Sequence, residues 1–362
     1  MLLGTGLGTV LLSSCYVTGQ RYHLVSQQIS ARPVERVLRT DATPEERVLF
    51  QRVEEIRDFA ETRLGLAVGE AYTVYYRTGR DHLVDVVSAA GEFSFERREW
   101  HFPFFGSFPY KGYYRRPGAE RLARRLDRRG WDVIIRPVAA FSTLGWFKDP
   151  LVTFMVDYDE ARLAELVIHE MAHATLWVSG EAQFNEEFAT FVGRTGSREF
   201  LIAKYGEDHQ TVRTLDERRE DVDRFREEVL ALKAEMTAWY AASASTPEDQ
   251  RREEKRERLR EYQEEFLRDY DARYHSDRYR FFGTIEVNNA YLDLFETYGG
   301  NLSVFQAFHL RQGGGDLATT IAEIRRRVSA WEAADPEERG EIITGIQNRV
   351  AGQENRDPGP AM

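Results

Sequence analysis

The chain has 362 residues and a formal net charge of −11, enough for one large domain or two ordinary ones. With 42% hydrophobic and 12% aromatic residues it can bury a substantial core and reads as globular. The acidic balance argues against a nucleic-acid partner, because phosphate binding needs a basic face; the basic runs, such as residues 115 to 129, alternate with carboxylates and apolar positions and read as solvated helix faces.

The first segment, MLLGTGLGTVLLSSC, is apolar and ends at Cys15, the sole cysteine, so no disulfide can form within the chain. Leu12-Ser13-Ser14-Cys15 resembles the bacterial lipobox, in which the cysteine is acylated and becomes the mature N-terminus. On that reading residues 1–14 are a signal peptide and 15–42 a tether, and a lipid at Cys15 anchors the protein to a membrane of the bacterial envelope, on the periplasmic side. The alternative is a chain that keeps an apolar first segment, since no Lys or Arg precedes Arg21, whereas a secretory signal carries a positive start. A run this short does not span a bilayer as a helix.

Thr43 as N-cap, Pro44 at the first helical position and Glu46 three residues after the cap predict a helix start. Leu49, Val53, Ile56 and Ala60 then recur at helical spacing, and Gly65 ends the run. Runs rich in Tyr, Val and Phe follow and predict strands: YTVYY (72 to 76), HLVDVV (82 to 87), FSFERREWHF (93 to 102) and DVIIRPVAAF (132 to 141), with a helix around 118 to 129. They read as a sheet layer preceding the helix of VIHEMAHATL (167 to 176), for which Asp157 or Asp159 is the expected cap.

Residues 207 to 280 are dense in Arg, Glu and Asp. Val222, Phe225, Val229, Leu232, Met236 and Trp239 alternate steps of three and four, the turn AASASTPEDQ spans 241 to 250, and Leu259, Tyr262, Phe266 and Tyr270 form a returning stripe. This predicts an antiparallel helical hairpin inserted at 201–285: a structural arm, a gate over a cleft, or a surface for a protein partner. The expected organisation is an α+β catalytic region at 43–200, the hairpin, a helical return at 286–350 and a disordered tail at 351–362.

The chemistry concentrates in His169, Glu170 and His173, an HExxH pattern. Residues four apart on a helix share a face, so both imidazoles can point at one ion, and Glu170 can reach a metal-bound water and take its proton. FNEEFATFVG (184 to 193) reads as a second amphipathic helix with Phe184, Phe188, Phe191 and Val192 on one stripe and Glu186, thirteen positions after His173, on another face. Two His and one carboxylate, with the fourth position open, is the ligand set of a catalytic zinc site; Glu187 is the alternative third ligand if the register is displaced by one.

Asn185-Glu186-Glu187-Phe188-Ala189 resembles the NExxA segment that gives the third ligand in gluzincins, the thermolysin-like and aminopeptidase-N-like peptidases. The gap from HExxH is shorter here, which implies a compact connection between the two helices. The chain also resembles a bacterial family of predicted zinc aminopeptidases, often lipoproteins, through CYVTGQ at Cys15, PFFGSFPYKGYY (103 to 114), AFSTLGWFKDPL (140 to 151), the HExxH and NEEFATFVG segments and NNAYLDLFETY (288 to 298). The resemblance implies a zincin-like metallopeptidase with peptide substrates and Zn2+ held by His169, His173 and Glu186. It makes Tyr291 a candidate oxyanion donor, with His309 a weaker one, and Gly145, Trp146 and Phe147 candidate residues of the substrate cleft. No segment upstream of the metal helix matches the GxMEN type that binds the substrate amine in aminopeptidase-N-like enzymes, and Glu286 in GTIEVN lies downstream of it. The competing readings are a zinc endopeptidase and a non-enzymatic envelope lipoprotein with a structural zinc.

Overall fold

The computed structural model describes residues 30–102, 106–138, 150–179, 181–297 and 302–333. Cys15, the signal and most of the tether, Gly145, Trp146, Phe147 and the tail at 351–362 lie outside the described residues. The described chain is α+β, mostly helical with small sheets.

It begins with β1 (Arg32–Pro33), α1 (Val34–Thr40) and α2 (Pro44–Thr62). The start of α2 is a capping box: the Thr43 hydroxyl accepts from the Glu46 N–H at 3.2 Å, the Glu46 carboxylate accepts from the Thr43 N–H at 3.0 Å, and Pro44 has no donor to leave unsatisfied. Leu49, Phe50, Val53, Ile56 and Ala60 bury one face of this helix. The strands β2 (Val74–Tyr76), β3 (Val84–Gly91), β4 (Trp100–Phe102), β5 (Gly106–Phe108) and β6 (Tyr110–Tyr113) come next, then α3 (Arg116–Asp127), β7 (Trp131–Val138) and β8 (Leu151–Val152). Two of the predicted strands are shorter than expected. Tyr72 has φ +62°, which no strand accommodates, so β2 begins after it. The run at 93–102 spends its first half in a turn, with Gly91 and Glu96 bonded backbone to backbone at 3.0 Å, and only Trp100 to Phe102 extend.

The longer helices that follow are α4 (Glu160–Thr175), α5 (Ala182–Tyr205), α6 (Gln210–Ala242), α7 (Glu248–Arg268), α8 (Asn289–Thr297), α9 (Leu302–Gln312) and α10 (Leu317–Ala333). Among the described residues no helix is long and apolar enough to cross a membrane.

The chain divides into two units whose segments interleave. One takes residues 79–142 and 213–298. Its sheet has the order β6-β3-β7, with β3 antiparallel to both neighbours, Val86 opposite Gly112 on one side and Arg136 on the other. The predicted hairpin is here, as α6 and α7: Phe225, Val229, Leu232 and Met236 meet Leu259 and Phe266 in one buried cluster. It belongs to the same unit as the sheet. Lys255 of α7, almost wholly buried, donates to Asp132 of β7 at 2.5 Å and to the Glu92 carbonyl at 2.7 Å, while Tyr240 of α6 donates to Asn289 of α8 at 2.7 Å. Each buried polar group is thereby paired, which the low dielectric of the interior demands.

The other unit takes residues 31–78, 143–212 and 299 onward. Its sheet has the order β1-β2-β8, β2 antiparallel to β1 and parallel to β8. The core sits among α2, α4, α5 and α9, where Phe184, Phe188 and Phe191 of α5 surround Phe305 of α9 at ring separations of 5.7, 6.2 and 5.7 Å. Glu199 of α5 is half-buried, and desolvation, with Asp316 adding repulsion against a weaker attraction from Arg63, raises its pKa from 4.5 to about 7. A folded value above the unfolded one means that the carboxyl favours the folded state at low pH and that this contribution is lost as pH rises from about 4.5 through 7. Glu199→Gln should therefore match the native protein at pH 4 and exceed its stability at pH 8, by at most about 3 kcal/mol. Denaturant melts at the two pH values check this.

Candidate metal centre

The helix α4 begins at Asp159, whose carboxylate accepts from the Arg162 N–H at 2.9 Å, and it buries Leu163, Ala164, Val167, Ile168, Met171 and Ala172. That burial fixes the rotation of the helix and turns the opposite stripe, with His169 and His173, outward from the packed face. Its C-terminal end is tied by Thr175, whose hydroxyl donates to the Met171 carbonyl at 2.7 Å and accepts from the Ala67 N–H at 2.8 Å.

The helix α5 packs closely along α4. Gly193 makes this approach: a Cβ there would stand 2.9 Å from the Glu165 carbonyl oxygen and 3.1 Å from the His169 Cβ. One turn on, a Cβ at Gly196 would stand 2.9 Å from Leu64 and 3.0 Å from Ile168. Asn185, 1% exposed, clamps the connection between the helices, its side chain accepting from the Val178 N–H and donating to the Val178 carbonyl, both at 2.8 Å. The peptide groups of a fully buried residue are thus satisfied, and a short connection is held in one conformation.

This framework brings three predicted ligands to one point. The Nε2 atoms of His169 and His173 are 3.1 Å apart, and the Glu186 carboxylate lies 3.7 Å from the first and 3.5 Å from the second. His169, His173 and Glu186 are the one group of three or more His, Cys, Asp or Glu among the described residues whose donor atoms converge as a metal site requires. Two ligand nitrogens at the usual 2.0–2.1 Å from a tetrahedral zinc stand roughly 3.3 Å apart, so the observed spacing fits such an ion without rearrangement. The protonation states fit too. Burial, reinforced by the neighbouring His173, lowers the His169 pKa to about 4 against a hydrogen bond to the Ala189 backbone that works to raise it, and burial lowers His173 as well. Both rings are consequently neutral at pH 7 and offer lone pairs. Desolvation raises the Glu186 carboxyl.

Ala189, whose backbone bears on the His169 ring, lies on the helix that carries the third ligand. Among the described residues the buried His173 Nδ1 has no hydrogen-bond partner, and the ring centroid lies 4.7 Å from that of His169 and 5.7 Å from that of Trp177. Glu187 is buried and accepts from Gln183 at 2.9 Å, and Glu186 is the carboxylate whose oxygens lie beside the two imidazoles. Glu170 is half-buried on α4 beside His169.

The two other candidates have surroundings of their own. Tyr291 lies on α8, in the unit that holds the hairpin, 9% exposed and packed between Phe282 and Phe295 at 5.8 and 5.5 Å. His309 bonds Thr320 at 2.8 Å and rests edge-on against Phe191 at 5.7 Å. Gly193 and Trp177 are the residues about the site that sequence reading does not single out, and Gly193 carries one faint signal, a small residue four positions after Ala189 of the NExxA segment.

In this α+β chain the HExxH helix and Glu186 of a second, closely packed helix thus form a group that could hold a metal ion. The chain belongs to the family described as "Putative aminopeptidase", whose family model matches residues 16–343. No curated protein and no solved structure matches it.

Proposed function

We propose that the protein is a zinc-dependent peptidase of zincin-like design, an aminopeptidase as its family's description suggests. The observation that carries this reading is the convergence of two imidazoles and one carboxylate from two packed helices on one point, with spacings close to those of a tetrahedral ion's ligands. His169, His173 and Glu186 hold the ion. Zinc, when bound, supplies Lewis acidity that polarises the scissile carbonyl and makes water a nucleophile at neutral pH. Glu170, next to the first ligand, takes the proton of the attacking water and returns it to the leaving amine. Asn185 and Gly193 keep the ligand helices in register. Three protein donors among the described residues, rather than four, match what a catalytic site uses. The same reading places the protein on the bacterial envelope through a lipid at Cys15, with the hairpin available to a protein partner.

The test is mass spectrometry of a peptide pool, half with free and half with acetylated N-termini, after incubation with the zinc-loaded protein. Stepwise trimming of the free peptides alone identifies an aminopeptidase. Internal cleavage of both halves identifies an endopeptidase, and intact peptides throughout would overturn the peptidase reading.

A further inference from the structure

Trp177 stands immediately after α4, two residues from its last helical residue, and is 42% exposed. Its backbone is not loose. The Leu176 N–H on one side bonds the Ala172 carbonyl at 2.9 Å, and on the other side both peptide groups of Val178, itself fully buried, are held by Asn185. A large apolar ring is therefore carried on a tied backbone with much of its surface in water, an arrangement that core packing does not produce. The ring it does touch is that of His173, at 5.7 Å between centroids and 63° between planes. That separation is less than two residues of extended chain, each spanning about 3.3–3.6 Å, so the indole lies within reach of the substrate residue that flanks the scissile bond.

We infer that Trp177 is a specificity-determining residue, its exposed indole serving as the platform for a bulky apolar side chain of the substrate next to the bond that is cut. This rests on the peptidase reading above. The chemistry is that of a preformed apolar surface: a leucine or phenylalanine side chain covers indole area that is otherwise wet, whereas an alanine side chain covers little of it. The neighbouring residues support an apolar rather than a charged occupant, since Leu176 and Val178 flank Trp177 in sequence and no arginine or lysine stacks on the indole among the described residues.

The experiment measures kcat/KM of the zinc-loaded protein, Trp177→Ala and Trp177→Phe on tripeptides that differ only at the residue flanking the scissile bond: Leu, Phe, Ala or Lys. Zinc content is measured in parallel. The native protein should prefer Leu and Phe to Ala by about tenfold or more, the range a few methylenes command in an apolar pocket. Trp177→Ala should lose most of that ratio while its rate on the Ala peptide and its zinc content stay within about threefold, and Trp177→Phe should retain the ratio. An equal loss on all four peptides makes Trp177 merely structural and overturns the inference, as does a native preference for Lys. Inactivity of the native protein on every peptide, with zinc bound, is a different result: it overturns the peptidase reading on which the inference rests.

Discussion

Glu170→Gln should leave fold and zinc content unchanged and lower kcat/KM on peptide substrates by a factor of roughly 10²–10⁴, the span of a general base. Glutamine keeps the size and the hydrogen-bonding reach of the side chain but cannot accept a proton at neutral pH. Since His169, His173 and Glu186 hold the ion, the position next to His169 contributes nothing to affinity on this account, so zinc should remain bound. The variant discriminates the two classes of function the chain supports: a structural zinc has no use for a base, and a scaffold protein carrying Glu170→Gln would keep its function intact. Circular dichroism, zinc content and peptide turnover on the same preparation give the answer.

Gly193→Val should be the most disruptive single change to the site that touches none of its donor atoms. The Cβ would meet the Glu165 carbonyl oxygen at 2.9 Å and the His169 Cβ at 3.1 Å. The first of these is backbone in the middle of α4 and cannot rotate away, so α4 and α5 must separate. Overpacking of this kind costs about 1–3 kcal/mol, and a β-branched residue, stiff at χ1, sits at the upper end. Because His169 and His173 are on one helix and Glu186 on the other, the same displacement should weaken zinc binding by about tenfold or more, the order seen when the contacts around metal ligands are removed. The check is a thermal melt paired with a competitive zinc titration. Loss of stability without loss of affinity would show that the cluster tolerates a change in helix spacing.

Much of the site was legible in the sequence because its signals are local. HExxH states its own geometry on a helix, the Asp159 cap and the Thr43–Glu46 box announce helix starts, and Glu186 emerges from the apolar stripe of its neighbours. The hairpin was legible for the same reason, through two stripes separated by a turn. What was not legible depends on partners distant in sequence. Lys255 reads as one more charge on a solvated helix until Asp132, more than a hundred residues away, is found beside it, and that pair joins the hairpin to the sheet in one unit. The interleaving of the two units has the same origin. Asn185 reads as the first letter of a motif, whereas its work is to hold Val178, and a glycine in a helix has no meaning until the opposite helix is in place. The short β2 reflects Tyr72, whose positive φ runs against its strand propensity.

The central claim is that His169, His173 and Glu186 together hold one zinc ion. It is tested most directly by X-ray absorption at the zinc edge together with competitive zinc titration, on the native protein and on Glu186→Ala. The account predicts one zinc per chain bound by two imidazoles and one carboxylate, with affinity reduced at least tenfold and the carboxylate ligand lost in the variant. A Glu186→Ala protein that binds zinc as tightly as the native one, with the same coordination, would contradict it.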